Sequence, residues 1–307
     1  MTELNGKGKK AVVTGGAGFV GSHLTDTLVA EGYAVAVVDD LSAGKRENVN
    51  EAAKLHVMDV RDSKALAPIF AGVDYVFHLA ALPRVQYSID FPEETNSVNV
   101  GGTLAVLKAA KDAGVKRVVY AASSSAYGNQ EKLPLTEDMP PEPLSPYALQ
   151  KHVGELYARV FSEVYSLPTV SVRYFNVYGP RLDPEGAYAL VIGKFLKQKK
   201  EGGALTVTGD GEQTRDFTHI RDIVRGTMLA ATSDTVGKGE VINLGRGEET
   251  SINQLAALIG GPVTHIAPRL EPKHTRADIS KAKALLGWAP EVALEDGIAE
   301  LKLLFGV

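Results

Sequence analysis

The stretch Gly15-Gly16-Ala17-Gly18-Phe19-Val20-Gly21 follows directly on the short apolar run at residues 11–14. It leads into a helical pattern with Val20, Leu24 and Leu28 at spacing four and Gly32 after its end. A G-x-x-G-x-x-G run in that position ends a buried strand and opens a helix whose first backbone N–H groups can receive a pyrophosphate. A Cβ at these glycines would block either the phosphates or the close packing of helix on strand. Gly15, Gly18 and Gly21 are therefore candidate phosphate-facing positions, with Phe19 and Val20 filling the first turn between them. On its own the pattern is equally a glycine-rich turn without a ligand; its place after the first strand, together with an acid ending the second, favours a dinucleotide-binding α/β unit.

The pattern continues along the chain. Apolar strand-like runs at residues 34–38, 55–60, 73–81, 117–122 and 169–174 alternate with helical segments. One helix is predicted over 99–113 and closes at Gly114; another starts at Ser145-Pro146, a cap followed by proline at the first helical position, and runs to about Tyr165. Continuous apolar strands between amphipathic helices imply a parallel sheet covered on both faces. The expected fold is α/β: a Rossmann doubly wound parallel sheet with a smaller C-terminal α/β substrate-binding domain. The boundaries are 1–175 for the first domain, with chain returning to it around 216–245, and 176–215 with 246–307 for the second.

Composition narrows the chemistry. The 307 residues contain no cysteine, which excludes disulfides, thiolate metal sites and a cysteine nucleophile. The net charge of −4 gives no electrostatic reason to expect a nucleic acid or an anionic membrane as partner. The histidines have no metal-ligand spacing, so no metal is expected. Every apolar run is broken well before the ~18 residues that a membrane span needs. With a polar stretch at residues 1–10, a soluble cytoplasmic protein is expected.

Asp39 stands 24 residues after Gly15, at the end of the second strand. Its carboxylate can accept both ribose hydroxyls of an adenosine and would repel a 2′-phosphate, which favours NAD over NADP. Lys45 and Arg46 follow closely and are the residues that could hold such a phosphate instead. Asp59-Val60 ends the third strand, where the aspartate either meets an adenine edge or simply makes a turn. Leu79, Ala80 and Ala81 end the fourth with small side chains that let a cofactor approach, while His78 reads as a packed strand histidine.

Tyr147 and Lys151 lie four apart and project from one helix face. A free tyrosine has a pKa near 10, but a neighbouring ammonium stabilises the phenolate and lets it exchange a proton with a substrate hydroxyl during hydride transfer. Ser123-Ser124-Ser125, at the end of the fifth strand, supplies hydroxyls at the same sheet edge.

Together these stretches resemble an extended short-chain dehydrogenase/reductase, specifically the nucleotide-sugar 4-epimerases of the UDP-glucose / UDP-N-acetylglucosamine group. The matching residues include 13–23, Asp39-Asp40-Leu41-Ser42, His78-Leu79-Ala80-Ala81, Asn99-Val100-Gly101-Gly102-Thr103 and 123–128. They continue with Ser145-Pro146-Tyr147, Lys151, 173–181, Gly209-Asp210-Gly211, Arg215-Asp216-Phe217 and Ala277-Asp278. The resemblance implies Tyr147 as catalytic base, Lys151 as its partner and nicotinamide-ribose ligand, and Ser123 on the sugar 4-hydroxyl, with Ser124 as the alternative. It implies Asp40, Leu41 and Ser42 near the adenosine ribose, Tyr174 beside the nicotinamide and Asn176 on the UDP diphosphate. It further implies that Arg215 pairs with a phosphate and that Thr206-Val207 lie near the uracil. Arg269 and Glu271 stand where relatives carry Arg-x-Gly-Asp, although the run here is one residue shorter and lacks the glycine.

The implied reaction is reversible oxidation at the sugar C4. Tyr147 takes the hydroxyl proton, hydride passes to NAD, the 4-keto sugar turns about the diphosphate, and hydride returns to the other face. Related 4,6-dehydratases carry Asp-Glu where Ser124 and Ser125 stand, and decarboxylases a Glu at Ser125, so the serines favour an epimerase. A non-catalytic dinucleotide sensor is the alternative from another class; the presence of both Tyr147 and Lys151 argues against it. Thr275 aligns with a position that is a bulky Tyr in glucose/galactose-restricted epimerases, so N-acetyl sugars are expected to fit alongside hexoses. Asp183-Pro184-Glu185-Gly186-Ala187-Tyr188 also resembles the N-acetylhexosamine-active members. Arg84 could instead favour a uronate carboxylate. The resemblance also implies a homodimer built on the helices near 99–113 and 146–165.

Overall fold

Val12, Val13, Val37, Val76, Val118 and Val172 are all 0% exposed. Strands so completely enclosed need cover on both faces, which helices connecting parallel strands provide. The computed structural model describes residues 6–185, 190–268 and 272–307. Seven parallel strands form the central sheet: β1 (Lys10–Thr14), β2 (Ala34–Asp39), β3 (Lys54–Val57), β4 (Tyr75–His78), β5 (Arg117–Ser123), β6 (Thr169–Tyr174) and β7 (Lys238–Leu244). Their spatial order is β7-β6-β5-β4-β1-β2-β3. The chain reverses its course across the sheet between β1 and β4, and a crevice opens at the carboxyl ends of strands at such a point.

The principal helices are α1 (Phe19–Ala30), α2 (Ser63–Phe70), α3 (Gly102–Asp112), α4 (Pro146–Tyr165) and α5 (Ile220–Thr232). Leu24 and Leu28 of α1 pack with Ile223, Val224 and Met228 of α5 over one face. Leu66 and Phe70 of α2, Val106 and Leu107 of α3, and Phe161 of α4 cover the other. A further apolar cluster joins helices Val191–Lys200, Ile252–Ile259 and Leu294–Phe305 to the parallel pair Leu205–Thr208 and Val263–Ile266. Trp288 is fully buried and its indole N–H donates to the Asp222 carbonyl at 2.9 Å, the packing role its neighbours Leu285 and Leu286 suggest.

Four elements differ from the apolar pattern. β3 and β4 are shorter than their apolar runs. Beyond His78 only the Leu79 N–H continues the ladder, to Thr14 O at 3.1 Å, before the Leu82 N–H turns to the Asn99 side chain at 2.7 Å. The predicted helix over 99–113 opens with a widened π-helical turn, Ser97–Gly101. There the Asn99 amide also donates to Gln150 Oε1 at 2.8 Å, which draws side chain and turn toward α4. β7, absent from the periodicity reading of the strands, carries Gly239 and Glu240 in its first half and a bulge between Lys238 and Glu240. Among the described residues no helix is long and apolar enough to cross a membrane.

One buried ion pair orients α4. Arg173 of β6 donates to both Glu155 carboxylate oxygens, at 2.8 and 2.7 Å, with side chains 3% and 2% exposed. The Tyr127 ring lies 4.4 Å from the guanidinium carbon. Gly154, next to Glu155, lets the helix settle on β5, because a Cβ there would sit 2.2 Å from the Tyr120 hydroxyl. Breaking a buried pair by removing one partner strands the other charge. Arg173→Met is therefore expected to lower unfolding free energy by ~3–5 kcal/mol. Adding Glu155→Met should recover most of that loss, which denaturant unfolding of the single and double variants will measure.

Candidate active site

The glycine turn comes first. Gly15 has φ +73°, and a Cβ on it would lie 2.7 Å from the Ala80 backbone nitrogen. A Cβ on Gly21 would lie 2.1 Å from the Gly15 carbonyl oxygen, so bare backbone is required where α1 meets β1. Gly18 is the N-cap of α1 and provides no side-chain cap, and the first turn carries no acidic residue. The leading N–H groups of α1 therefore face the crevice without a side-chain acceptor, as a pyrophosphate requires.

Asp39, 7% exposed, accepts from the Ala17 and Leu41 N–H groups, each at 2.9 Å. Burial pushes its carboxyl up, and the two N–H bonds pull the other way. Each oxygen keeps acceptor capacity for a ribose hydroxyl. Asp40 is occupied by Ser42, whose N–H and hydroxyl donate to it at 2.9 and 2.6 Å. The Asp59 carboxylate is gripped by Arg61 Nε at 3.0 and 2.8 Å and also closes a turn by accepting the Arg61 N–H at 2.8 Å. The Arg61 guanidinium holds its carboxyl below the usual carboxylate range.

A cavity of about 1170 Å³ runs from this turn across the carboxyl ends of the strands. It brings together Gly15, Gly18, Phe19, Val20, Gly21, Asp39, Asp40, Ser42, Asp59, Val60, Leu79, Ala80 and Ala81 with Ser123, Ser124, Tyr147, Lys151, Tyr174, Asn176, Arg215 and Thr275. Leu41 does not line it. That residue sits at φ +62° and takes part through its N–H to Asp39 rather than through its side chain. Thr206 lines a second cavity, of about 260 Å³, which shares Asn176 and Arg215 with the first. Val207 alternates with Thr206 on the strand, and its side chain is 0% exposed and packs in the apolar cluster. Arg269 and Glu271 lie outside the described residues, as do Gly186, Ala187 and Tyr188.

Ser145 caps α4 by accepting the Ala148 N–H at 3.2 Å, while the Tyr147 N–H donates to Ser88 Oγ at 3.0 Å. These bonds set the first turn of the helix against the end of β5. Burial pushes the Tyr147 phenol up to about 12, and interaction with the Ser123 hydroxyl pulls it down. Lys151, 4% exposed, donates to the Ala121 carbonyl at 2.8 Å and lies 5.0 Å over the Tyr120 ring. Burial lowers its ammonium to about 8, and Glu155 pulls it up. Desolvation dominates the Tyr147 phenol and the Ser123 hydroxyl opposes it, while the Lys151 ammonium gives one of its three N–H donors to the Ala121 carbonyl.

His78 is a buried strand histidine, as its position suggested. Its Nδ1 lies 2.7 Å from Thr14 Oγ1 and its Nε2 2.9 Å from Thr103 Oγ1. Since the Thr103 hydroxyl donates to Asn99 O, Nε2 carries the proton and Nδ1 accepts. Burial lowers its pKa to about 3, so the ring is neutral at physiological pH.

Several cavity residues escaped the sequence reading of the site. Gly44 approaches Asp39 so closely that a Cβ would lie 2.9 Å from Oδ1. Arg181 lines the cavity and pairs with Asp26 at 2.7 Å, and Gln213 lines the smaller cavity and donates to Thr208 O at 2.9 Å. Each lies within or beside a quoted motif, but glycine and cation counts alone single out none of them. Asp216 lies behind the wall that carries Thr275. Fully buried, it accepts the N–H groups of Arg246, Gly247 and Ala277 at 2.6, 2.9 and 2.9 Å.

Residues 11–245 match the NAD dependent epimerase/dehydratase family. A putative UDP-glucose 4-epimerase of Methanocaldococcus jannaschii is 38% identical over 94% of this chain and 95% of its own length. The structure of a UDP-glucose 4-epimerase from Thermotoga maritima with UDP-glucose superposes with a TM-score of 0.91 at 38% identity, covering 97% of this chain and 98% of that one. A UDP-N-acetylglucosamine 4-epimerase from Methanobrevibacter ruminantium M1, in complex with UDP-N-acetylmuramic acid, gives 0.91 at 37% identity over 97% and 99%. The unshielded helix terminus, the bare glycine turn and the ribose-ready Asp39 fit the cofactor in the family's description, which is NAD. This chain belongs to the NAD dependent epimerase/dehydratase family.

Proposed function

We propose that the protein is a UDP-hexose 4-epimerase that interconverts UDP-Glc with UDP-Gal and UDP-GlcNAc with UDP-GalNAc. The observation that carries this reading is the convergence of Tyr147, Ser123 and Lys151 on one cavity with the glycine turn, where Ser124 and Ser125 provide no carboxylic acid. A dehydratase or decarboxylase needs an acid at those positions; a 4-epimerase does not. NAD held along the glycine turn supplies reversible hydride acceptance at the sugar C4, so no redox reagent is consumed. Tyr147 takes the proton of the 4-hydroxyl and later returns one, with the Ser123 hydroxyl beside it in the cavity. Lys151, tied to the Ala121 carbonyl, keeps a positive charge beneath the reacting centre.

Residues 1–175 and 216–245 form the NAD side in this reading, and 176–215 with 246–307 the UDP-sugar side. Asn176 and Arg215, shared by the two cavities, hold the diphosphate, with the smaller cavity and Thr206 taking the uracil. Strong binding of the non-reacting nucleotide retains the sugar while it turns over.

Support for N-acetyl sugars comes from Thr275. It is small, 8% exposed, lines the cavity and has a hydroxyl with no hydrogen-bond partner among the described residues. A uronate reading rests on Arg84, but the Asp183 carboxylate 3.8 Å away offsets the charge a uronate needs. Purified protein given each UDP-sugar without reductant should equilibrate the hexose and N-acetylhexosamine pairs and leave UDP-glucuronate unchanged. A 4-keto-6-deoxy product or released carbon dioxide refutes the epimerase reading. Thr275→Tyr should lower kcat/KM for UDP-GlcNAc by at least about tenfold while sparing UDP-Glc. Tyr147→Phe should lower kcat by about 10²–10⁴-fold with NAD still bound.

Homodimerisation has its own support. Leu149, Leu156, Val160 and Val164 recur along one stripe of α4 and are 51%, 38%, 40% and 65% exposed, with Leu104 of α3 at 38%. An apolar face of this kind on two neighbouring helices suits a second copy of the chain. Leu156→Glu with Val160→Glu should convert a dimer to a monomer in analytical ultracentrifugation.

A further inference from the structure

Ser123 ends β5 and caps the short turn Ser124–Tyr127. Its oxygen accepts two bonds, from the Ser125 N–H at 3.2 Å and from the Ser125 hydroxyl at 2.8 Å. A serine hydroxyl has one proton and two acceptor sites. With both acceptor sites filled by the same residue, what Ser123 has left to offer is its proton, and the group it influences is the Tyr147 phenol. From this geometry we infer that Ser125 is a positioning residue for the reaction: it saturates the Ser123 oxygen as acceptor and so commits Ser123 to donate toward the Tyr147 oxygen.

The consequence is a directed chain of hydroxyls, Ser125 to Ser123 to Tyr147. A donor aimed at the Tyr147 oxygen favours its phenolate, which is the form able to take the proton of the substrate hydroxyl. The Lys151 ammonium acts beside this chain of hydroxyls and not through it, with one N–H held by the Ala121 carbonyl. When the substrate proton moves to the Tyr147 oxygen, the phenolate becomes a phenol and Ser123 keeps its own proton; the hydroxyl chain supplies polarity and no net proton. Ser125 thus has a use beyond the absence of an acid at its position.

This inference rests on Tyr147 as the base. With Ser125→Ala the Ser123 hydroxyl loses one of its two donors and is free to turn its proton elsewhere. Steady-state epimerisation of UDP-Glc by this variant should show kcat reduced about tenfold, the effect of one lost charge-assisted bond. KM and bound NAD should be unchanged, and the acid limb of the kcat–pH profile should move to higher pH. Ser125→Thr, which keeps a hydroxyl, should restore both rate and profile, and Ser125→Cys, nearly isosteric but a poor donor, should behave like alanine if alanine disturbs the turn. Wild-type kcat and pH profile in Ser125→Ala would overturn the inference. So would a rise in KM with the profile unmoved, the mark of a direct substrate contact. Tyr147→Phe, measured in parallel, separates the two ideas: activity surviving in that variant refutes the role of Tyr147, whereas its loss beside an unaffected Ser125→Ala refutes only the role of Ser125.

Discussion

The Arg173–Glu155 pair is the contact on which the geometry of the active site depends. Glu155 lies one helical turn beyond Lys151 and two beyond Tyr147, on the same face of α4. A two-bond, fully enclosed pair fixes the rotation of that face against β6. Sliding or turning α4 by one residue would leave a carboxylate and a guanidinium unpaired in the protein interior, at several kcal/mol each. Gly154 allows the helix to lie directly on Tyr120, and Lys151 is then close enough to reach the Ala121 carbonyl. A buried charge pair is an unreliable source of net stability, yet here it specifies a single register for Tyr147 and Lys151.

A second polar network performs the equivalent task on the cofactor side. Thr14, His78, Thr103 and Asn99 connect the end of β1 to β4, to α3 and, through Gln150, to α4. A histidine that stays neutral can take part in such a chain as one donor and one acceptor without bringing a charge beneath Lys151. The widened turn at Ser97–Gly101 belongs to this arrangement, because Asn99 supports the loop at Leu82 with both its amide groups. Two helices and the switch point of the sheet are thereby held in one hydrogen-bonded framework.

Much of this architecture was legible in the amino-acid order. The first six strands, the glycine turn and the cap at Ser145 follow from local rules, since apolar runs, bare backbone and N-capping act over a few residues. β6 matches its apolar run, and α4 its cap and length. What escaped the reading depends on partners distant in the chain. β7 has a glycine and a glutamate where a buried strand would have apolar residues, and it is a strand because β6 offers it an edge. The direction of the Lys151 ammonium depends on the carbonyl of residue 121, and the inward turn of Val207 on a cluster of helices assembled from three separate segments. Ser125 was legible as one hydroxyl of a serine run at the sheet edge, whereas its two bonds to Ser123 depend on the folded turn.

In the proposed function, the residues of the proton chemistry and the residues nearest the variable part of the sugar belong to different kinds of structure. Tyr147, Lys151 and Ser123 stand on a long helix and a central strand, inside the polar and ionic framework of the sheet. Thr275, Arg84 and Asp183 stand on loops that reach the cavity from outside it, with the Thr275 wall backed by the separate Asp216 knot. A substitution on those loops changes the shape or charge offered to the sugar and leaves the register of α4 alone. Substrate range can therefore drift by single replacements while the reaction is conserved, an arrangement that lets one scaffold acquire new sugars without inventing new chemistry.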